Sequence, residues 1–333
     1  MRLIQFLDSE ERRRVGIVQT GSDLVNIVNN VHATRQLALA AIVDGVSLET
    51  KIAALGHTPG DSYRAILAES RILVPLDHDE DPAHCLISGT GLTHLGSASL
   101  RDAMHHDQVP HEAMTDSMRV FRWGLEGGRP RSGTPGVQPE WFYKGDGDIL
   151  IHPGRAIPVP DFAEDAGEEP ELTGLYVIGA DCKPYRLGFA IGNEFSDHIM
   201  ERRNYLYLAH SKLRYCSFGP ELNIGTLPSD LSGFSRIHRD GKLLWEKRFL
   251  TGEKNMSHTI ENLEYHHFKY AQFLRPGDVH VHFFGSATIS FADGIATREG
   301  DTFEISLPAF GAPLCNSYER TNRHVCAGGI SQL

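Results

Sequence analysis

Only 5 of the 333 residues are cysteine, at positions 85, 182, 216, 315 and 326, and no two stand in a Cys-x-x-Cys pair. An odd, scattered set excludes a disulfide framework and a thiolate zinc site, and fits free thiols in a reducing compartment. No apolar stretch approaches the ~20 residues a membrane span needs. The opening Met1-Arg2-Leu3-Ile4-Gln5-Phe6-Leu7-Asp8 meets charge before any long apolar core, so no secretory leader is expected. Positive charge is also in short supply: 32 Lys and Arg stand against 43 Asp and Glu, a net charge of −11. A surface that tracks phosphates needs a basic excess, so nucleic acid is not the expected partner. Internal repeats and low-complexity segments are missing too. These absences lead to the expectation of a cytoplasmic protein with no membrane contact and a small-molecule partner.

What is present is an ordinary globular composition, 41% apolar and 23% charged, in a chain long enough for one large domain or two modest ones. Up to about Pro75 the pattern is that of a small α/β unit. Arg13-Arg14-Val15-Gly16-Ile17-Val18 is strand-like, and Leu37–Val43 and Tyr63–Leu67 carry helical spacing. The charged run Asp77-His78-Asp79-Glu80-Asp81-Pro82 has the composition of a solvated linker, placing a boundary that divides 1–78 from 79–333. Beyond it, short apolar runs punctuated by Gly and Pro (Ile149-Leu150-Ile151, Leu175–Ile178, Val279–Phe284, Thr302–Ile305) predict a β-rich body. One longer helix is expected from Ser196 to about Leu213, with Ser196 as its cap and Asp197 in its first turn. The fold class is therefore α+β.

The chemistry concentrates between residues 169 and 220. Glu169 and Glu171 are two apart, so on an extended strand their carboxylates share a face. Glu194 closes a second apolar run, Leu187-Gly188-Phe189-Ala190-Ile191. Three hard oxygen ligands suit Mg²⁺, Mn²⁺ or Ca²⁺ better than zinc. The helix after Glu194 leads Lys212 back past the same face, as a cation or base beside the metal. The plainer reading is a solvated acidic loop, because Asp161, Glu164, Asp165 and Glu168 precede the pair. The pairs His266-His267 and His280-x-His282 look like metal ligands but are better read as packed or exposed imidazoles.

Glu169-Pro170-Glu171-Leu172, Gly188-Phe189-Ala190-Ile191-Gly192-Asn193-Glu194-Phe195-Ser196, Lys212 and Gly219-Pro220 resemble the fumarylacetoacetate hydrolase family. Glu140-Trp141-Phe142-Tyr143-Lys144, Arg275-Pro276-Gly277-Asp278-Val279, Phe284-Gly285-Ser286 and Gly300-Asp301 continue the match in the family's order, over roughly residues 85 to 318. The resemblance implies a mixed β-sheet roll of the family's C-terminal type behind a small N-terminal α/β domain. It further implies Mg²⁺ or Mn²⁺ held by Glu169, Glu171 and Glu194, and a homodimer. The third ligand is usually Asp in the family and here is Glu194.

A second departure lies upstream. Family hydrolases and decarboxylases carry a Gly-x-Asn-Tyr-x-x-His-x-x-Glu stretch; here the segment is Gly89-Thr90-Gly91-Leu92-Thr93-His94-Leu95-Gly96-Ser97-Ala98-Ser99-Leu100-Arg101, without Asn-Tyr and without the paired Glu. It is more similar to the branch that dehydrates 2-keto-3-deoxy sugar acids, where a Gly-Val-Thr-Tyr…Ser…Arg pattern stands, with His94 in place of the Tyr. Lys212 and His94 are the expected proton carriers. Lys144, Ser286 and Thr90 are the expected substrate contacts by family position. The expectation is thus a Mg²⁺- or Mn²⁺-dependent dehydratase of a 2-keto-3-deoxypentonate or similar acid. A hydrolase of 2,4-diketo acids and a catalytically silent sugar-acid-binding protein are the alternatives.

Overall fold

The computed structural model of the chain describes residues 1–96, 115–131, 133–321 and 329–333. Its strands, in chain order, are β1 (Arg2–Leu7), β2 (Arg13–Val18), β3 (Leu24–Val28), β4 (His57–Ser62), β5 (Ile72–Leu73), β6 (Cys85–Gly91), β7 (Glu140–Gly145), β8 (Ile157–Pro160) and β9 (Pro170–Ile178). They continue as β10 (Pro184–Asn193), β11 (Ser217–Phe218), β12 (Leu222–Asn223), β13 (Leu231–Arg239), β14 (Lys242–Thr251), β15 (Val279–Phe283), β16 (Thr302–Ser306) and β17 (Leu314–Thr321). Two sheets result. The larger runs β4-β3-β2-β1-β12-β10-β9-β15-β6-β7, with β5 on β1 and β11 on β10; the smaller runs β14-β13-β16-β17-β8. Parallel pairs β6–β15 and β8–β17 sit among antiparallel ones, the mixed α+β architecture that the sequence suggested.

The N-terminal elements match the expected strand Arg13–Val18 and helices, which span Thr34–Asp44 and Tyr63–Ala68. The first strand also reaches across the expected boundary, pairing Arg2 with Asn223 and Leu3 with Leu222. We propose the division near residue 78, with the β1–β12 pairing as the seam between the two units.

β9 and β10 position the site. β9 is buried throughout and β10 from Leu187 onward, and apolar side chains leave both faces. Leu175 and Val177 join the core with Val281 and Phe283, whereas Leu172, Phe189 and Ile191 pack toward Phe249, Ile305 and Leu314 of the smaller sheet. Two covered faces explain why these strands read as near-continuous hydrophobic runs instead of alternating ones. The antiparallel register sets Gly192 opposite Glu171 and Asn193 opposite Pro170. It then carries Glu194 alongside Glu169, whose carbonyl accepts from the Glu194 amide at 3.1 Å. A Cβ on Gly192 would lie 2.2 Å from Thr173 Oγ1 and 2.5 Å from a Phe283 ring carbon, so only glycine allows this approach.

Two expectations fail locally. Ile149-Leu150-Ile151 is not a strand: Gly147–Ile149 is a 3-10 turn whose start is capped by Asp146, and Leu150 makes a single bridge to Cys216. The expected helix over 196–213 is broken. Helices span His198–Arg203 and Leu208–Lys212, separated by Asn204 in extended conformation, which caps the 3-10 turn Tyr205–Tyr207 with its own side chain. Asp197, not Ser196, caps the first of them by accepting from the Met200 amide. Asn competes with helical hydrogen bonding through its short polar side chain, and here it wins.

His267, His280 and His282 are buried, as packing would require. Trp141 Nε1 can only donate, and it does so to His267 Nδ1 at 3.2 Å; His267 Nε2 therefore donates to His280 Nδ1 at 2.9 Å. Ser88 meets His282 Nδ1 at 2.9 Å. Burial pushes His280 down to about 4 and His282 down to about 3. These imidazoles are neutral in the fold but take a proton in the unfolded chain below about 6.5. Their contribution to stability is therefore complete above that pH and is lost as pH falls toward the folded value. His280→Gln should thus lose about 2 kcal/mol less stability between pH 7 and pH 5 than the unsubstituted chain, measured by denaturant unfolding at both pH values. Equal losses in the two proteins would contradict a neutral His280.

Candidate active site

One cavity is lined by Thr90, Gly91 and Leu92 from the end of β6, Glu140 and Phe142 from β7, Glu169 and Glu171, His198, Glu201 and Lys212, and Gly285, Ser286 and Ile289. Carboxylate oxygens of Glu169, Glu171 and Glu194 lie within 4.8 Å of one another, the one such cluster of potential metal ligands among the described residues. The acidic-loop reading does not hold for these three: Glu171 and Glu194 are buried and Glu169 is half-buried.

Lys212 Nζ stands among them, 2.5 Å from Glu169 Oε1, 2.6 Å from Glu194 Oε2 and 3.1 Å from Ser196 Oγ. Its ammonium lies 5.1 Å from the centre of the Phe142 ring, so it is enclosed by one apolar wall and two carboxylates. Glu171 instead points to the β15 side, where Oε2 accepts from the Gly285 amide at 2.7 Å. Gly285 has φ +92, and a Cβ there would meet Thr93 Oγ1 at 2.3 Å, so glycine is required for that amide to face Glu171.

The electrostatics of the three acids differ. Burial, then the like charges of Glu194 and Glu169, hold the Glu171 carboxyl well above the usual range. Burial also raises Glu194, with Lys144 and Lys212 working against it. Burial opposes ionisation of Glu169 too, but Lys212 and His198 override it and keep that carboxyl below the usual range. For Lys212, burial favours the neutral amine, yet Glu169, Glu194 and Glu201 hold the ammonium form well above the usual lysine range. Three converging oxygen donors, one of them short of compensating charge, fit a hard dication and offer nothing to a soft one. Glu169, Glu171 and Glu194 would hold it, and it would supply the charge that Glu171 lacks.

Thr90 and Ser286 line the cavity as expected, although their hydroxyls already donate to the carbonyls of Phe283 and Thr288. His94 and Lys144 do not line it. The chain turns at Leu92, φ +56, directly after β6, and His94 then bridges to Met256. Its Nε2 meets Thr251 Oγ1 at 3.0 Å, and its ring sits one layer behind Gly285. Burial lowers it to about 4, the signature of a packed neutral imidazole. Lys144 is wholly buried below the carboxylates instead of facing a substrate. Ser97, Ala98, Ser99, Leu100 and Arg101 of the upstream segment lie outside the described residues, as does Cys326; the other four cysteines are free.

Three ionisable lining residues, Glu140, His198 and Glu201, were missed. Glu140 opens the Glu-Trp-Phe-Tyr-Lys run, and the alternation of β7 puts Glu140, Phe142 and Lys144 on one buried face, a signal that strand periodicity offered. Its Oε2 accepts from the Tyr205 hydroxyl at 3.0 Å. Glu201 comes within 4.0 Å of the Lys212 ammonium. His198, read as part of a cap, lies between Asp165 Oδ2 at 3.3 Å and Glu169 Oε1 at 3.2 Å. Burial disfavours its charge, but these two carboxylates raise it to about 10, so it is an imidazolium that braces Glu169.

No protein-family model matches the chain. A probable 2-keto-3-deoxyxylonate dehydratase of Haloferax volcanii is 31% identical over 121 residues, 35% of this chain and 40% of that protein. A 2-dehydro-3-deoxy-D-arabinonate dehydratase of Saccharolobus solfataricus is 31% identical over 115 residues, 33% of this chain and 37% of that protein. The aligned stretches thus span well under half the length of either curated relative. Among solved structures, 2-keto-3-deoxy-D-arabinonate dehydratase complexed with magnesium and 2,5-dioxopentanoate superposes with a TM-score of 0.70 at 19% identity, over 97% of this chain and 100% of that one. A 5-carboxymethyl-2-hydroxymuconate delta-isomerase from Mycobacterium smegmatis gives 0.56 at 16% identity, again over 97% and 100%. The chain thus shares its fold with these solved structures, and over about a third of its length it is similar in sequence to two proteins named as dehydratases of 2-keto-3-deoxy sugar acids.

Proposed function

We propose that the protein is a Mg²⁺- or Mn²⁺-dependent dehydratase of a 2-keto-3-deoxy sugar acid such as 2-keto-3-deoxypentonate. The observation that carries this reading is the convergence of Glu169, Glu171 and Glu194, with the Lys212 ammonium against Glu169 and Glu194, beside a cavity lined by Glu169, Glu171, Lys212 and Glu140. The dehydratase relatives and the magnesium complex of the solved dehydratase support it.

A bound dication would supply Lewis acidity to the 2-keto acid head and stabilise negative charge as the C3 proton leaves. The remaining roles fall to side chains. Lys212, the lysine lining the cavity, takes the C3 proton as its neutral amine: the three carboxylates that hold its ammonium would lose that hold once a like charge sits among them. Glu140, which lines the same cavity from β7, protonates the departing C4 hydroxyl, so that one proton and one hydroxide leave as water. Proton transfer from C5 back to C3, and then from the C5 hydroxyl to C4, converts the resulting 2-keto-3-ene into a 2,5-dioxo acid. Thr90 and Ser286 border the substrate, and His198 keeps Glu169 ionised and oriented. We expect the protein to work as a homodimer, in keeping with the family resemblance, and in the reducing cytoplasm that scattered free thiols suit.

The test sets 2-keto-3-deoxypentonate and acetylpyruvate side by side with Mg²⁺. Formation of the dioxo acid from the first, without pyruvate from the second, is the expected result. Pyruvate release would favour the 2,4-diketo acid hydrolase instead. His94 is packed behind Gly285 and does not line the cavity, so His94→Ala should change stability more than turnover. A loss of turnover at unchanged melting temperature would return His94 to the chemistry.

A further inference from the structure

Lys144 combines full burial with a complete set of acceptors. Its side chain is 0% exposed, as is that of Glu194. The ammonium has three N–H groups, and each has one partner: Glu194 Oε1 at 2.6 Å, the Phe195 carbonyl at 2.6 Å and the Lys212 carbonyl at 3.0 Å. One buried cation therefore touches a candidate metal ligand, the backbone immediately after it, and the backbone of the candidate base 18 residues further on. A saturated donor of this kind has nothing left for a substrate.

The geometry points to Lys144 as a positioning residue that fixes both halves of the site from behind. Glu194 divides its two oxygens: Oε1 is held by Lys144, and Oε2 faces the cluster where Lys212 Nζ lies 2.6 Å away. Glutamate has one more rotatable bond than the aspartate usual at this place in the family. Anchoring one oxygen removes that freedom and presents the other alone. By gripping the Lys212 carbonyl, the same ammonium sets the end of the helix Leu208–Lys212, whose last side chain must project between Glu169 and Glu194. The carboxylate–lysine contact is an outer-shell interaction of the kind that orients metal ligands. Its charge also matters: without it Glu194 would be a buried carboxylate facing two others with a single cation for company.

This inference rests on the metal-site reading, and the experiment separates the two. Mn²⁺ binding to the full chain is measured by calorimetry and by the loss of free-Mn²⁺ paramagnetic resonance signal, for the unsubstituted protein, K144M and K144R. Thermal melts in chelator report the fold. If the unsubstituted protein binds no Mn²⁺, the metal-site reading itself fails. If it binds, K144M is expected to weaken Mn²⁺ affinity about 10- to 100-fold, the usual consequence of losing an outer-shell partner, while K144R recovers part of the loss. A purely structural lysine would lower the melting temperature in chelator and leave Mn²⁺ affinity of the folded fraction unchanged; that result overturns the proposal. Should K144M fail to fold, K144Q, which keeps donors but not the charge, decides in the same way.

Discussion

Lys212→Met should lower turnover by about 10³-fold and leave Mn²⁺ affinity unchanged or tighter. The first half follows from its place as the lysine in the cavity, since a positioned proton carrier contributes about 10²- to 10⁴-fold. The second half follows from competition. The Lys212 ammonium shares oxygens of Glu169 and Glu194 with any metal that those residues take up. Removing it frees both oxygens and removes a like charge from the neighbourhood of a dication. Methionine keeps most of the volume against Phe142, so loss of packing is small. Turnover within tenfold of the unsubstituted enzyme, or metal binding that collapses with the lysine, would show that Lys212 holds the site together without carrying a proton.

Glu171→Gln carries the other large effect, and its sign differs with metal. With Mn²⁺ or Mg²⁺ present, affinity should fall by more than the ~100-fold typical of losing an outer-shell partner, because a direct oxygen ligand and its charge are gone. Activity should fall with it. In chelator the same substitution should leave the melting temperature unchanged or raise it. Burial and the like charges of Glu194 and Glu169 raise the Glu171 carboxyl well above the usual range and so favour its neutral form, and a neutral amide of the same size costs little and relieves repulsion. The Gly285 amide keeps an acceptor in the glutamine carbonyl oxygen. A variant that binds Mn²⁺ as well as the unsubstituted chain would remove Glu171 from the ligand set. A large drop in melting temperature in chelator would show instead that Glu171 is a structural acid.

The carboxylate cluster was legible because it depends on short-range geometry. Two glutamates two residues apart at the start of an extended strand share a face, and a hairpin register with Gly192 opposite Glu171 needs only two adjacent apolar runs. Lys212 was legible for a weaker reason. The continuous helix that was to deliver it is broken at Asn204, yet the second short helix still brings its ammonium to Glu169 and Glu194. His94 was not legible, since one left-handed residue, Leu92, decides which way the chain leaves β6, and nothing in an ordinary leucine announces a positive φ. Lys144 and Glu140 belong to the same alternating face of β7, but which end of that face meets the cavity depends on pairing with β6 and on what packs behind it. His198 was hidden by the cap beside it: Asp197 does cap the helix, and the imidazole next to it reaches two carboxylates brought from residues 165 and 169 by the loop that leads into β9.

The most direct test of a metal-assisted removal of the C3 proton by Lys212 is proton NMR of 2-keto-3-deoxypentonate in D₂O with the unsubstituted protein and Mg²⁺, repeated after exhaustive chelation and with Lys212→Met. The expected result is 2,5-dioxopentanoate carrying deuterium at C4, from the exchanged C5 hydroxyl, and at C3 as far as the proton carrier exchanges with solvent, formed with Mg²⁺, abolished by chelation and strongly slowed in the variant. Product that still forms after chelation, or pyruvate and a two-carbon fragment in place of the dioxo acid, would contradict the metal-dependent dehydration at its root.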